Sequence, residues 1–145
     1  MAAGKPVRWS AAKIHGITDE MLEGAPGYIS LWPMINTRLG GKVIVGHNLG
    51  TEKRFLGAFP GHGFGPWVDT LILARECYPG LSDYSLEAVC EVLDITPQVT
   101  DIVPGKKWHD ALYDAVARAI LLRHVVGSLG MWEEPPCRLG KSVRN

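Results

Sequence analysis

Lys42-Val43-Ile44-Val45-Gly46-His47, followed at once by Asn48-Leu49-Gly50-Thr51-Glu52-Lys53-Arg54-Phe55-Leu56, is the stretch that decides the fold. Its first six residues are a short β-branched run and read as a buried strand. Thr51 is a candidate N-cap for a short helix over about 52–59. Upstream, Leu31, Trp32, Ile35 and Leu39 recur at helical spacing. Pro33 falls in the first turn of that helix, over about 30–39, and Gly40-Gly41 ends it. Thr18 caps a single turn over 19–22, and residues 1–17 read as irregular. Downstream, the glycine-rich 61–65 is a loop and Trp67-Val68 a second short strand running into Asp69. A helix over about 70–77 is broken by Pro79-Gly80. Ser85 caps another to about Leu93, and 99–107 reads as a loop. The longest helix spans about 110–129, with Asp110 as its cap and Tyr113, Val116, Ala117, Ile120 and Leu121 as its apolar stripe. Strands separated by helices imply parallel pairing in an α/β layer fold. Only two strands are legible, few for a sheet.

The remaining composition sets bounds. With 145 residues, 46% hydrophobic and 21% charged, the chain is too apolar for wholesale disorder and long enough for one core. Residues 1–130 read as that domain. Residues 131–145, with Pro135-Pro136 and the bases Arg138, Lys141 and Arg144, read as a loosely held tail. Fifteen basic and fifteen acidic residues exclude a polybasic nucleic-acid coat protein, though not an enzyme that handles nucleic acid. Three widely spaced cysteines, Cys77, Cys90 and Cys137, argue against a disulfide scaffold and fit a reducing cytoplasm. Met1 opens no signal-like apolar stretch, and Arg123 and His124 interrupt the longest apolar run, so no membrane span is expected.

Three local patterns carry chemistry: Ile14-His15-Gly16-Ile17-Thr18, then Gly46-His47-Asn48-Leu49-Gly50-Thr51-Glu52, then His109-Asp110-Ala111-Leu112-Tyr113-Asp114. Between them lie Trp67-Val68-Asp69-Thr70-Leu71 and Tyr84-Ser85-Leu86-Glu87. In this order and spacing, over about 14–129, they resemble the DEDDh 3′–5′ exonucleases, whose fold is ribonuclease H-like. The family pattern His-Asn-x-x-x-Asp maps onto His47, Asn48 and Glu52, and His-x-x-x-x-Asp onto His109 and Asp114. Glu52 thus stands where aspartate is usual, keeping the charge on an arm one methylene longer.

The resemblance implies hydrolysis at nucleic-acid 3′ ends, releasing nucleoside monophosphates with Mg²⁺ or Mn²⁺. Two such ions stabilise the attacking and leaving oxygens of a phosphodiester, and hard ions want carboxylate oxygens. Asp114 and Glu52 are the implied metal ligands. His109 is the implied general base, a residue type that titrates near neutrality. His15, His47 and Asn48 are the implied substrate contacts, with a single-stranded DNA or RNA 3′ end as partner. The family's Asp-x-Glu motif, carried on its first strand, has no counterpart here, because no acid precedes Ile14. The expectation is therefore a ribonuclease H-like α/β domain lacking the first three strands, with short parallel strands flanked by helices. Its two-ion site is expected to be incomplete and the chain alone inactive, since two cations held by two carboxylates repel one another. Strand 42–47, deprived of a neighbour, is expected to self-associate or to accept a partner chain.

Plainer readings stand beside these. His47-Asn48 could be a strand-end turn satisfying backbone groups. Glu52 could be a first-turn helix charge, and Asp114 with Arg118 an i, i+4 surface pair. Asp69 reads as ordering the loop after its strand. The five tryptophans read as core or interface residues rather than base-stacking platforms. The alternative function is a catalytically degenerate module that keeps the groove for nucleic acid or for another protein.

Overall fold

The computed structural model describes residues 6–130, so the tail expected over 131–145 lies outside the described residues. The elements run α1 (Trp9–His15), α2 (Asp19–Leu22), a 3-10 turn (Tyr28–Leu31) leading into α3 (Trp32–Leu39), β1 (Ile44–Gly46), α4 (Gly50–Leu56), β2 (Trp67–Asp69), α5 (Thr70–Cys77), α6 (Leu86–Val92), α7 (Thr96–Ile102) and α8 (Ala111–Ser128). β1 and β2 pair in parallel, with Ile44 opposite Trp67, Val45 opposite Val68 and Gly46 opposite Asp69. A two-stranded sheet is marginal in water, so its stability comes from the helices on its faces.

Strand alternation sorts the core into two parts. Val68, with Val45 packed beside it, faces the larger cluster, which includes Leu73, Val89, Ile95, Val99, Tyr113, Ala117, Leu121 and Val125. Ile44, with Trp67 beside it, faces the smaller one, where Phe59 and Phe64 meet Trp32, Ile35 and Leu39. Period-two alternation in register puts paired residues on one face, which is why Ile44 and Trp67 share a cluster. Tyr28 stacks on Phe59 at 4.1 Å between ring centroids, which ties the turn before α3 to this second core. α8 packs against α7, α5, α6 and β1, and its expected stripe is buried at Tyr113, Ala117, Ile120 and Leu121, with Val116 half-buried.

The structure corrects three local expectations. Residues 9–15, read as irregular, form α1, which ends at Gly16 in the left-handed region (φ 72°). Trp9 and Ile14 of this helix are 72% and 59% exposed, so its large apolar side chains form no buried stripe for periodicity to report. Residues 96–102, mostly assigned to a loop, form α7, with Pro97 in its first turn. Two turns are too short to hold by propensity. Burial of Ile95 and Val99 against α8 supplies the stability, and that is a tertiary effect. α4 begins at Gly50 with no side-chain cap of its own, so Thr51 is not the cap. The carboxylate of Asp69, reaching over from β2, takes the backbone N–H groups at that end instead. The caps at Thr18, Ser85 and Asp110 form as read.

Candidate active site

Parallel β1 and β2 end on the same side, and the residues just beyond them gather there. Crevices at the carboxyl ends of parallel strands are where α/β folds place their sites. Gly46 closes β1 under Leu49 and Glu52: a Cβ there would collide with the Leu49 side chain and lie 3.7 Å from the Glu52 carboxyl carbon. Asn48 follows in the left-handed region at φ 62°. Asp69 holds that turn, as its loop-ordering reading expects. It accepts from the N–H groups of Asn48 (2.9 Å), Leu49 (3.0 Å) and Leu71 (3.0 Å).

His47 is half-buried and held at both ring nitrogens. Its Nε2 donates to the Tyr84 carbonyl at 2.7 Å, and its Nδ1 lies 2.9 Å from the Thr70 hydroxyl. Thr70 Oγ1, fully buried, is also 3.0 Å from the Gly46 carbonyl. One hydroxyl proton serves either His47 or Gly46. Neutral His47 takes it at Nδ1, whereas protonated His47 donates there and leaves it for Gly46. Burial pushes the His47 pKa down from 6.5, against the opposing pull of the Tyr84 carbonyl and of Asp69. His47 and the exposed Asn48 also border a shallow opening shared with Arg75, Asp83 and Tyr84.

Glu52 lies in the first turn of α4 and Asp114 in the first turn of α8. Asp114 Oδ1 accepts from the backbone N–H of His109 at 3.2 Å, and His109 adopts φ 71°. Asp114 also faces α6: burial first, and then the Asp114 charge, push the Cys90 thiol up to about 12. Arg118, one turn beyond Asp114, does not pair with it. Its Nη1 lies 3.0 Å from Glu52 Oε1, with the two side chains 27% and 25% exposed. The i, i+4 surface pair weighed for Asp114 and Arg118 is thereby replaced by an ion pair between α8 and α4. Arg118 Nε is buried without a hydrogen-bond partner. His15, exposed at the end of α1, shares a cavity with His109 rather than with Glu52.

Glu52 and Asp114 are carboxylates of the kind that hard divalent ions prefer. One oxygen of Glu52 is, however, already engaged by a guanidinium. Among the described residues, no three His, Cys, Asp or Glu side chains are grouped to hold a metal. The residues present therefore do not by themselves fit a two-ion site.

Against this geometry, residues 5–122 match a family model described as exonuclease, RNase_T. This chain belongs to the RNase_T exonuclease family. A relative, DNA polymerase III PolC-type of Halalkalibacterium halodurans, is 33% identical over 127 residues, 84% of this chain and 8% of its own length. Exodeoxyribonuclease 10 of Escherichia coli K12 is 31% identical over 130 residues, 90% of this chain and 54% of its own. This chain thus spans about half of one relative and a small part of the other. Among solved structures, exonuclease X in complex with 5′ overhanging duplex DNA superposes with a TM-score of 0.73 at 29% identity, covering 94% of this chain and 75% of that one. The fold is ribonuclease H-like, as the motif order implies, and the likeness to DEDDh exonucleases holds. RNase_T exonucleases normally use divalent metal ions. None of the described helices is long and apolar enough to cross a membrane.

Sequence reasoning missed the anchoring of His47 by Thr70 and Tyr84, and the true partner of Arg118. The visible signal for the latter was a cation four residues after a motif acid; its partner on another element was not visible.

Proposed function

We propose that this chain engages the 3′ end of a DNA or RNA single strand in the manner of a 3′–5′ exonuclease. In this reading His109 stands as the general base, Asp114 and Glu52 as the acids, and His15, His47 and Asn48 as the residues that shape the substrate groove. Release of nucleoside monophosphates with Mg²⁺ or Mn²⁺ requires carboxylates beyond these two, so the chain alone is inactive. The observation that supports the proposal is the contact of His109 and Asp114 at the start of α8, where the Asp114 carboxylate accepts the His109 backbone N–H, in a chain of an exonuclease family. The Glu52–Arg118 ion pair engages the second acid. The DNA held by exonuclease X supports a nucleic-acid partner. The free thiols of Cys77 and Cys90 support a reducing, cytoplasmic setting.

The groups of this chain have definite tasks in that reading. Asp114 holds the backbone N–H of His109, whose imidazole is exposed. Asp69 and Thr70 stiffen the turn that carries Asn48. Rigid turns of this kind suit a groove that must hold a strand end in one register.

The Glu52–Arg118 ion pair favours a second reading, a degenerate module that binds without cutting. Two measurements separate the readings. Single-stranded oligonucleotides incubated with Mn²⁺ should yield no monophosphate from the chain alone, and His109→Ala should change nothing. Efficient cutting that is lost in His109→Ala overturns the account of missing acids. If the coding DNA upstream of Met1 carries an in-frame strand with Asp-x-Glu, the longer product should cut; if that product is inert, the degenerate module stands.

Self-association belongs to the same proposal. Among the described residues, β1 is paired on one edge only, and Trp9, Ile14, Met21 and Ile29 are exposed. Unpaired strand edges and exposed apolar patches template association. Light scattering at high concentration should show dimers or larger species, and a clean monomer removes this part of the proposal.

A further inference from the structure

The overall charge is balanced, so a local surplus of one sign stands out. Such a surplus surrounds a cavity of about 250 Å³ between the end of α1 and the turn that precedes α8. Lys13, His15, Gly105, Lys107, Trp108 and His109 contribute to its wall. The wall also contains one acid, Asp110, and Lys106 neutralises it at 2.9 Å. Lys13 and Lys107 are left as net positive charge. Lys13 sits 4.0 Å from the centroid of the Trp9 ring, a contact that holds the ammonium in place without cancelling its charge.

The remaining wall groups suit the same kind of ligand. His15 Nδ1 accepts from the Ile17 N–H at 3.0 Å, so in the neutral ring Nε2 carries the proton and is a donor. Trp108 and Tyr113 meet in a T-shaped contact with 4.9 Å between ring centroids, and Tyr113 is buried with its hydroxyl 3.0 Å from that of Thr100. The indole is therefore a fixed surface. Gly105 (φ 77°) and His109 (φ 71°) are both left-handed and bracket the turn that carries Lys106, Lys107 and Trp108. A Cβ on Gly105 would meet nothing within 4 Å, so backbone conformation, not space, calls for glycine there. Cations alongside a rigid aromatic face are the working parts of single-strand binding grooves.

We propose that this cavity is a phosphate-binding subsite for a nucleic-acid strand, with Lys13 and Lys107 neutralising backbone phosphate and Trp108 giving a face for a base. The proposal rests on the nucleic-acid reading above and extends it to a site independent of metal. Its ligand chemistry is a phosphodiester next to a base, and the free charge of two lysines sets its strength.

The test is fluorescence anisotropy with a labelled single-stranded decathymidylate in EDTA, measured across a salt series. The unaltered chain should bind, with log K falling linearly as log salt rises. Lys13→Gln and Lys107→Gln should each weaken binding severalfold at low salt. Each should also reduce the slope by about 0.7, the value for one phosphate contact on a single strand. Arg123→Gln, which removes a charge bonded to Gln98 on the far part of α8, should leave both unchanged. Binding by the unaltered chain with no change in either lysine variant overturns the subsite and leaves the nucleic-acid reading standing. No binding by the unaltered chain overturns that reading and the subsite together.

Discussion

Arg118 reaches from α8 to Glu52 on α4 and closes a 3.0 Å ion pair with the carboxylate that the motif resemblance assigns to metal. The arginine is a covalently tethered cation at that carboxylate. A free divalent ion must compete with it, and the unpaired, buried Nε shows that the guanidinium is only partly satisfied where it sits.

Calorimetric titration of the unaltered chain with Mn²⁺ should therefore show no tight uptake of two ions. Arg118→Gln releases Glu52 and should strengthen Mn²⁺ binding severalfold. Folding stability should change by only about 1 kcal/mol, because the pair is partly exposed. Identical titrations for the two proteins would mean that the pair does not compete with metal.

Asp69→Ala removes the acceptor for three backbone N–H groups at the sheet's carboxyl end. Loss of a cap together with charge-assisted bonds should cost about 2–4 kcal/mol in urea unfolding. Asp69→Asn keeps one acceptor oxygen and should lose less. Equal stability of Asp69→Ala and the unaltered chain would remove Asp69 from its organising role.

The depressed His47 pKa makes stability depend on pH in one direction. As pH falls through about 6.5, the unfolded chain takes up the proton first and is favoured. Stability should therefore be full above that value and decline below it, until the folded form also protonates. His47→Gln should flatten this part of a pH series of urea midpoints. A His47→Gln profile that keeps the same acid slope would assign the effect to other groups.

Cys90 should be inert while the chain is folded, because burial holds its thiol near 12 and little thiolate exists at pH 8. In a Cys77→Ser, Cys137→Ser background, a disulfide reagent should react only after denaturation. Rapid labelling of the folded protein would show that α6 opens readily.

Much was legible beforehand where local chemistry was strong. The caps Ser85 and Asp110, the β-branched run read as a strand over 42–47 and the α8 stripe each carry a short-range signature; the caps formed as read, the strand formed over 44–46, and the stripe is buried at four of its five positions. α7 escaped because its two turns owe their stability to Ile95 and Val99 pressing on α8, and no seven-residue window encodes that partner. Within the candidate site, the order of His47, Asn48, His109 and Asp114 was plain. The bonds that hold His47 run from Thr70 and Tyr84, distant in the chain.

The family and the parallel α/β layering were determined by the sequence alone, which also names the candidate acids and base, because residue type and spacing are local and survive without coordinates. The counter-ion of Glu52, the carboxylate that holds the Asn48 turn and the positive cavity beside His109 were decided only by the tertiary structure. Each joins groups from separate elements, and at angstrom range the energy of a charge or a hydrogen bond depends on where the partner ends up in space, not on how far along the chain it lies.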